Sequence, residues 1–293
     1  MRLKILLRFP KPALLPWGYP EWLRGLAYTA MARGLPRVAQ QLHEEGWSHP
    51  EGRRYKPLTY SWLHGLRPDR LGLWAEETAT WWVSSPIPAV VEALALGLLL
   101  EPEVRLGPHP VMVERIEVEP VPALGEAVTF TTLSPITIST GERRADGKLM
   151  KRYLSPEEPA FARALTENLR RKAAAFYGRE MEGEIEIHPH PPYRSKLVRV
   201  HNTDIRGWLL SFTVSGDPEL IRLGYEAGFG EHTASGFGMV EVMRKPARKA
   251  DPSSPQRSQV KEISKTHPAT EFQGSREEGR TIHRRIPHPL SSC

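Results

Sequence analysis

The feature that most restricts the fold is a hydrophobic period that switches repeatedly along the chain. Leu3, Ile5, Leu7 and Phe9 alternate with mostly basic neighbours, the period-2 pattern of a strand with one buried face. Pro10, Pro12 and Pro16 end it. From Glu21 the apolar positions Trp22, Leu26 and Ala30, then Leu35, Val38 and Leu42, recur at helical spacing, and Gly34 with Pro36 marks a break between two helices. Strand-like runs over 58–66, 71–75 and 80–83 follow a polar loop over 46–54, then a helix over 87–100 and a bent strand or pair of strands over 104–119. The order β-α-β-β-α-β is that of a ferredoxin-like unit, in which two helices cover one face of an antiparallel sheet.

A second round follows. It comprises a strand over 127–139, a basic hairpin around Asp146-Gly147, a helix over 157–177, strands near 184–188, 197–202 and 207–215, a short helix over 218–227 and a closing strand over 239–242. The expectation is an α+β protein of tandem ferredoxin-like domains, 1–122 and 123–243, followed by a basic disordered tail over 244–293. That tail is rich in Pro, Ser, Lys and Arg and cannot bury enough apolar surface to fold alone. A length of 293 residues suits two ordinary domains and a tail.

The formal charge of +6 suggests a nucleic-acid partner, but eleven basic and five acidic residues lie from Arg244 onward and account for the whole excess. Residues 1–243 are net neutral, so an RNA argument rests on where Lys and Arg lie and not on their total. The only cysteine is Cys293, which rules out an intrachain disulfide or a cysteine metal cluster and fits a reducing cytoplasm. The alternating charges of residues 1–10 lack the apolar core of a secretory signal. The longest apolar run, 89–100, is interrupted by Glu92 and Gly97 and is shorter than the roughly 20 residues of a membrane span.

The sharpest local motif is Gly228-Phe229-Gly230, five residues, then Gly236-Phe237-Gly238, between a helix and a closing strand. A glycine-rich loop allows close backbone approach and can turn N–H groups toward phosphates, with Phe229 or Phe237 packed inward as an anchor. Composition alone is equally compatible with a flexible turn. No Lys-Ser or Lys-Thr follows the glycines, and the spacing is not that of a dinucleotide fingerprint, so mononucleotide and dinucleotide binding are disfavoured.

With this motif the chain resembles the CRISPR-associated repeat-RNA endoribonucleases of the RAMP superfamily, whose hallmark is Gly-apolar-Gly, five residues, Gly-apolar-Gly near the C-terminus. The likeness extends, in family order, to Leu26-Ala27-Tyr28, Leu42-His43-Glu44, Lys56-Pro57-Leu58-Thr59-Tyr60-Ser61 and Pro102-Glu103-Val104-Arg105-Leu106. It continues through Thr132-Leu133-Ser134-Pro135-Ile136 and Gly224-Tyr225-Glu226. It spans residues 1–243 and leaves the tail outside. The resemblance implies a fold that grips precursor CRISPR RNA at its repeat and cuts it, with no metal and no cofactor, by attack of a ribose 2′-OH on its own 3′-phosphate. The products would be a 2′,3′-cyclic phosphate and a 5′-OH. Such chemistry needs a base, an acid and a cation, which His, Tyr and Lys supply.

His43 aligns with the family's active-site histidine. At the C-terminal end of a helix the dipole favours the imidazolium, which suits an acid near neutral pH, although a histidine there also serves as a plain polar cap. Tyr28 matches a tyrosine that acts as base or orienter in some relatives; an ordinary pKa near 10 favours orienting the 2′-OH. Lys56 matches a lysine that would stabilise the phosphorane. The loop from His43 to Lys56 is longer than in the family pattern, so His49, Arg53 or Arg54 is an alternative to Lys56, and His64 is expected to be structural.

For RNA grip the expected groups are Gly228, Gly230, Gly236 and Gly238 of the loop, with His232 and Thr233 as donors, and Arg143, Arg144, Lys148, Lys151 and Arg152 of the hairpin. Arg163, Arg170, Arg171 and Lys172 on the following helix, and Arg194, Lys196 and Arg199 beyond it, add basic clusters. CRISPR repeat RNA is the expected partner, and association with effector-complex subunits or a second copy of the chain is compatible with the sequence. The main rival reading is a non-catalytic RAMP subunit that coats guide RNA, against which His43 with Tyr28 argues. A metal-dependent nuclease would need an Asp/Glu cluster with ligand spacing, absent from the sequence pattern. An acylphosphatase-like enzyme accounts for neither the doubling nor the glycine loop.

Overall fold

A computed structural model describes residues 1–143, 147 and 149–243; Arg144, Lys148 and the tail over 244–293 lie outside the described residues. The first sheet is built around β1 (Arg2–Arg8), whose Leu3, Ile5 and Leu7 are buried on one face. It pairs antiparallel with β3 (Thr78–Ser84) on one side and β5 (His109–Glu119) on the other; β2 (Thr59–Tyr60) and β4 (Glu103–Leu106) form the edges. Helices α1 (Pro20–Gly34) and α3 (Pro88–Leu100) pack together and bury Leu23, Ala27, Ala30, Val91 and Leu94 in the same core. Both helices start on a proline in the first turn, where the missing N–H costs nothing.

The second sheet is centred on β6 (Ala127–Thr132), flanked by β8 (Thr203–Gly216) and β9 (Val240–Val242), with β7 (Ile185–Val200) beyond β8. α4 (Pro159–Tyr177) buries Phe161, Leu165, Leu169 and Phe176, a stripe at helical spacing, in the core beside α5 (Pro218–Ala227). Asp217 caps α5, its Oδ1 accepting from the backbone N–H of Glu219 (2.7 Å) and Leu220 (3.0 Å). In both sheets the spatial order of the main strands is second, third, first, fourth.

Several expected elements differ. The run over 58–66 yields only the two residues of β2 and an isolated bridge between His64 and Thr80, because the chain must turn away at the sheet edge. Gly72–Ala75 is a strand, but it joins Ala13–Pro16 and Arg67–Pro68 in a small separate sheet. The strand expected over 127–139 stops at Thr132, and Ser139 opens the hairpin Ser139–Arg143/Leu149–Tyr153 instead. The strands near 184–188 and 197–202 are one long strand, β7, with a register shift between His190 and Arg194, where two prolines cannot donate to the ladder. Its tip is the turn His201-Asn202. Among the described residues no helix is long and apolar enough to cross a membrane.

The two cores are stitched directly. The buried Arg2 guanidinium lies 3.7 Å over the Tyr225 ring and donates to the Tyr225 carbonyl at 2.9 Å. Thr59 Oγ1 donates to the carbonyl of Phe237 at 3.1 Å, and Trp62 Nε1 donates to that of Gly236 at 3.1 Å.

Candidate active site

The segment after α1 contains a short helix, α2 (Pro36–Gln40), that runs into a π-turn over Gln41–Glu45. The turn closes by Gly46 N–H donating to the Gln41 carbonyl at 2.8 Å, the wide i to i+5 geometry that re-aims a side chain. It buries Leu42 and leaves His43 exposed. Gly46 then reverses the chain at φ +64 and ψ −166, a region that side chains beyond glycine avoid. Trp47–Ser48 pairs with Arg54–Tyr55, and this folds the long loop back on its own start. Lys56 Nζ therefore reaches the His43 carbonyl at 2.9 Å and sits 5.5 Å from the Tyr28 ring centre. The Tyr28 and His43 rings meet edge to face at 5.5 Å and 87°.

These three side chains line a cleft of about 800 Å³ whose other wall is the loop Gly230–Ser235. Burial pushes the Tyr28 hydroxyl up to about 12, so it keeps its proton through the neutral range. Lys56 is lowered from the ordinary lysine value, first by burial and then by the nearby Arg24 guanidinium. Arg24 lies one helical turn before Tyr28 on α1, pairs with Glu21 at 2.8 Å and meets His201 Nε2 at 2.6 Å. An arginine always donates, so His201 presents its lone pair there. Lys151 bridges Glu231 (3.0 Å) and His232 Nε2 (3.3 Å). Among the described residues the His43 ring makes no hydrogen bond, and no three His, Cys, Asp or Glu side chains group as metal ligands.

The glycine loop is held by its backbone. Phe229 N–H donates to Gly238 O, Gly238 N–H to Pro135 O, and Glu231 N–H to Thr137 O, each at 2.8 Å. A Cβ on Gly238, at φ +76, would stand 2.1 Å from the Phe229 carbonyl oxygen. Phe229 packs between Phe130 and Phe212, at 5.7 and 5.0 Å, and Phe237 fills a small cluster with Val198, Val200 and Ile205. Gly228, Gly236 and Gly238 thus serve the close packing of the loop on the body, while Gly230, His232 and Thr233 face the cleft.

The structure brings Tyr28, His43, Lys56, Lys151, Gly230, His232 and Thr233 to one cleft, with Arg54 as a further cation. It does not bring His49 there; that ring accepts from Glu51 N–H at 3.1 Å. His64 meets the Trp82 ring edge to face at 5.2 Å. Arg143 is not among the described residues lining this cleft, and Arg152 is engaged by Glu158 (2.8 Å) and Glu142 (3.2 Å), since alternate residues of a strand face opposite ways. Lys172 is not a surface cation: it is buried, donates to the Gly228 carbonyl at 2.7 Å, and burial lowers it to about 7. Arg24, Asn168, His201 and Glu231 line the cleft without having been expected. Only Arg24 left a signal, its i, i+4 spacing to Tyr28 on one helix face.

Residues 118–242 match the family model described as CRISPR associated protein Cas6, C-terminal. Over 235 residues the chain is 32% identical to the CRISPR-associated endoribonuclease Cas6 of Pyrococcus furiosus, covering 78% of this chain and 83% of that protein. It is 31% identical over 249 residues to the CRISPR-associated endoribonuclease Cas6 1 of Methanocaldococcus jannaschii, covering 82% and 92% respectively. A solved structure of a CRISPR associated protein Cas6 superposes with a TM-score of 0.71 at 28% identity, over 83% of this chain and 99% of that one. On this likeness the chain belongs to the Cas6 family of CRISPR-associated endoribonucleases.

Proposed function

We propose that the protein binds CRISPR repeat RNA in the 800 Å³ cleft and cuts it, as an endoribonuclease that processes precursor CRISPR RNA without a metal. The observation that carries this reading is the convergence of Tyr28, His43 and Lys56, distant in sequence, opposite the glycine loop. His43 protonates the departing 5′-oxygen, and its exposed ring is open to substrate. Tyr28, protonated at neutral pH, orients the 2′-OH and braces the imidazole. Lys56 spends one hydrogen bond on the His43 carbonyl and has two N–H groups left for the phosphorane, with Arg24 beside it. Attack of the 2′-oxygen on phosphorus, its proton passing to solvent in the open cleft, breaks the bond to the 5′-oxygen, which takes the proton His43 delivers, giving a 2′,3′-cyclic phosphate and a 5′-OH. The shared strand order of the two sheets supports reading 1–122 and 123–243 as two ferredoxin-like units.

The test is cleavage of end-labelled repeat RNA in EDTA by wild type and His43→Ala, with and without a 2′-deoxy substitution at the cut. The expected result is cutting by wild type only, a loss of about 10²-fold or more in His43→Ala, none on the deoxy substrate, and retained RNA binding. Binding without cutting by the wild type would instead favour an RNA-coating subunit.

A further inference from the structure

A second cleft of about 530 Å³ lies between the strand that starts at Ser139 and α4. It shares two lining residues with the first, Asn168 and Glu231, so the clefts meet across that pair. The loop after His43 reaches both: Arg54 lines the first and its neighbour Arg53 the second. Arg53 and Arg163 are exposed there, and among the described residues neither makes an ion pair. The carboxylates lining this cleft are already answered. Glu167 takes Arg171 at 2.7 Å, and Glu231 accepts from Ser139 Oγ at 2.9 Å and from Lys151 at 3.0 Å.

Asn168, at the divide, is 8% exposed, and among the described residues its Oδ1 has no hydrogen-bond partner. A buried amide oxygen in a folded protein is normally satisfied. An open acceptor flanked by free arginines is what a polynucleotide complements, with N–H or O–H donors on base and ribose and a phosphate at each step.

We propose that an RNA strand seated at His43 continues over the Asn168–Glu231 divide into the second cleft. Arg53 and Arg163 take its phosphates there, and Asn168 accepts a hydrogen bond from the nucleotide that crosses. This path rests on the reading that the chain cuts repeat RNA, and it assigns a strand-positioning role to residues outside the Tyr28, His43 and Lys56 group. The test is fluorescence anisotropy with 2′-deoxy-blocked repeat RNA, full length and shortened stepwise from each end toward the cut, on wild type and on the double variant Arg53→Ala/Arg163→Ala.

The full-length RNA is expected to bind the variant roughly tenfold more weakly, with a log–log salt slope shallower by about 1.4, as removal of two single-strand phosphate contacts requires. Shortening one side of the cut is expected to erase that difference. Equal binding of full-length RNA to both proteins, or an equal loss on every shortened RNA, overturns the path while leaving the function standing. A wild type that neither binds nor cuts repeat RNA overturns the function and the path together.

Discussion

At the scale of single residues, the cleft separates groups that differ in how burial treats their protons. Tyr28 and Lys172 are both desolvated, but the tyrosine is driven away from ionisation and the lysine toward neutrality, because burial opposes whichever form carries charge. Lys172 makes stability depend on pH. The unfolded chain holds this proton up to about 10.5 and the folded chain releases it near 7. Between these values the unfolded state binds more protons, so this group's contribution rises with pH and is lost on acidification. From pH 7 to pH 9 the rise is on the order of 2 kcal/mol. Urea unfolding at the two pH values is expected to show it in wild type and to show it abolished in Lys172→Met. Neither the burial of this lysine nor the pairing of Arg152 is legible in sequence, since both follow from which face of an element meets a neighbour.

At the scale of elements, the π-turn and the hairpin after it decide whether His43 and Lys56 meet. The sequence marks the loop from His43 to Lys56 as longer than the family pattern, with Arg53, Arg54 and His49 as alternatives to Lys56. The pairing of Trp47–Ser48 with Arg54–Tyr55 absorbs the extra length and returns Lys56 to the His43 carbonyl. Gly46 is the hinge of this arrangement: its φ of +64 disfavours a side chain, and an added Cβ would lie 3.0 Å from the Tyr55 carbonyl oxygen. Gly46→Ala is expected to cost about 1–3 kcal/mol of local strain. It should lower single-turnover cutting roughly tenfold to a hundredfold through displacement of the proposed catalytic groups. RNA affinity should fall less, by about threefold, because Arg24 and Lys151 keep their places in the cleft while Arg54 and Lys56 move with the hairpin. Anisotropy and quench-flow on one preparation separate the two effects.

At the scale of the whole molecule, residues 1–243 carry no net charge, so on the proposed reading RNA affinity comes from the local gathering of Arg24, Arg54, Lys56 and Lys151 around one cleft and of Arg53 and Arg163 in the next. Six such contacts predict a log–log salt slope of about −4 for a single strand. Titration of repeat RNA at increasing salt checks it; a slope near −6 would mean that cations outside both clefts share the binding. By itself the sequence determined the α+β class, most helices and the glycine loop, because hydrophobic period, proline position and glycine spacing act locally. It also singled out Tyr28, His43 and Lys56, through a family likeness and not through any local rule. Their meeting in one cleft, the continuity of β7, the burial of Lys172 and the contribution of Arg24, Asn168 and His201 were decided only by tertiary structure. Each depends on contacts between segments far apart in the chain, and no local pattern encodes which distant surface a side chain will meet.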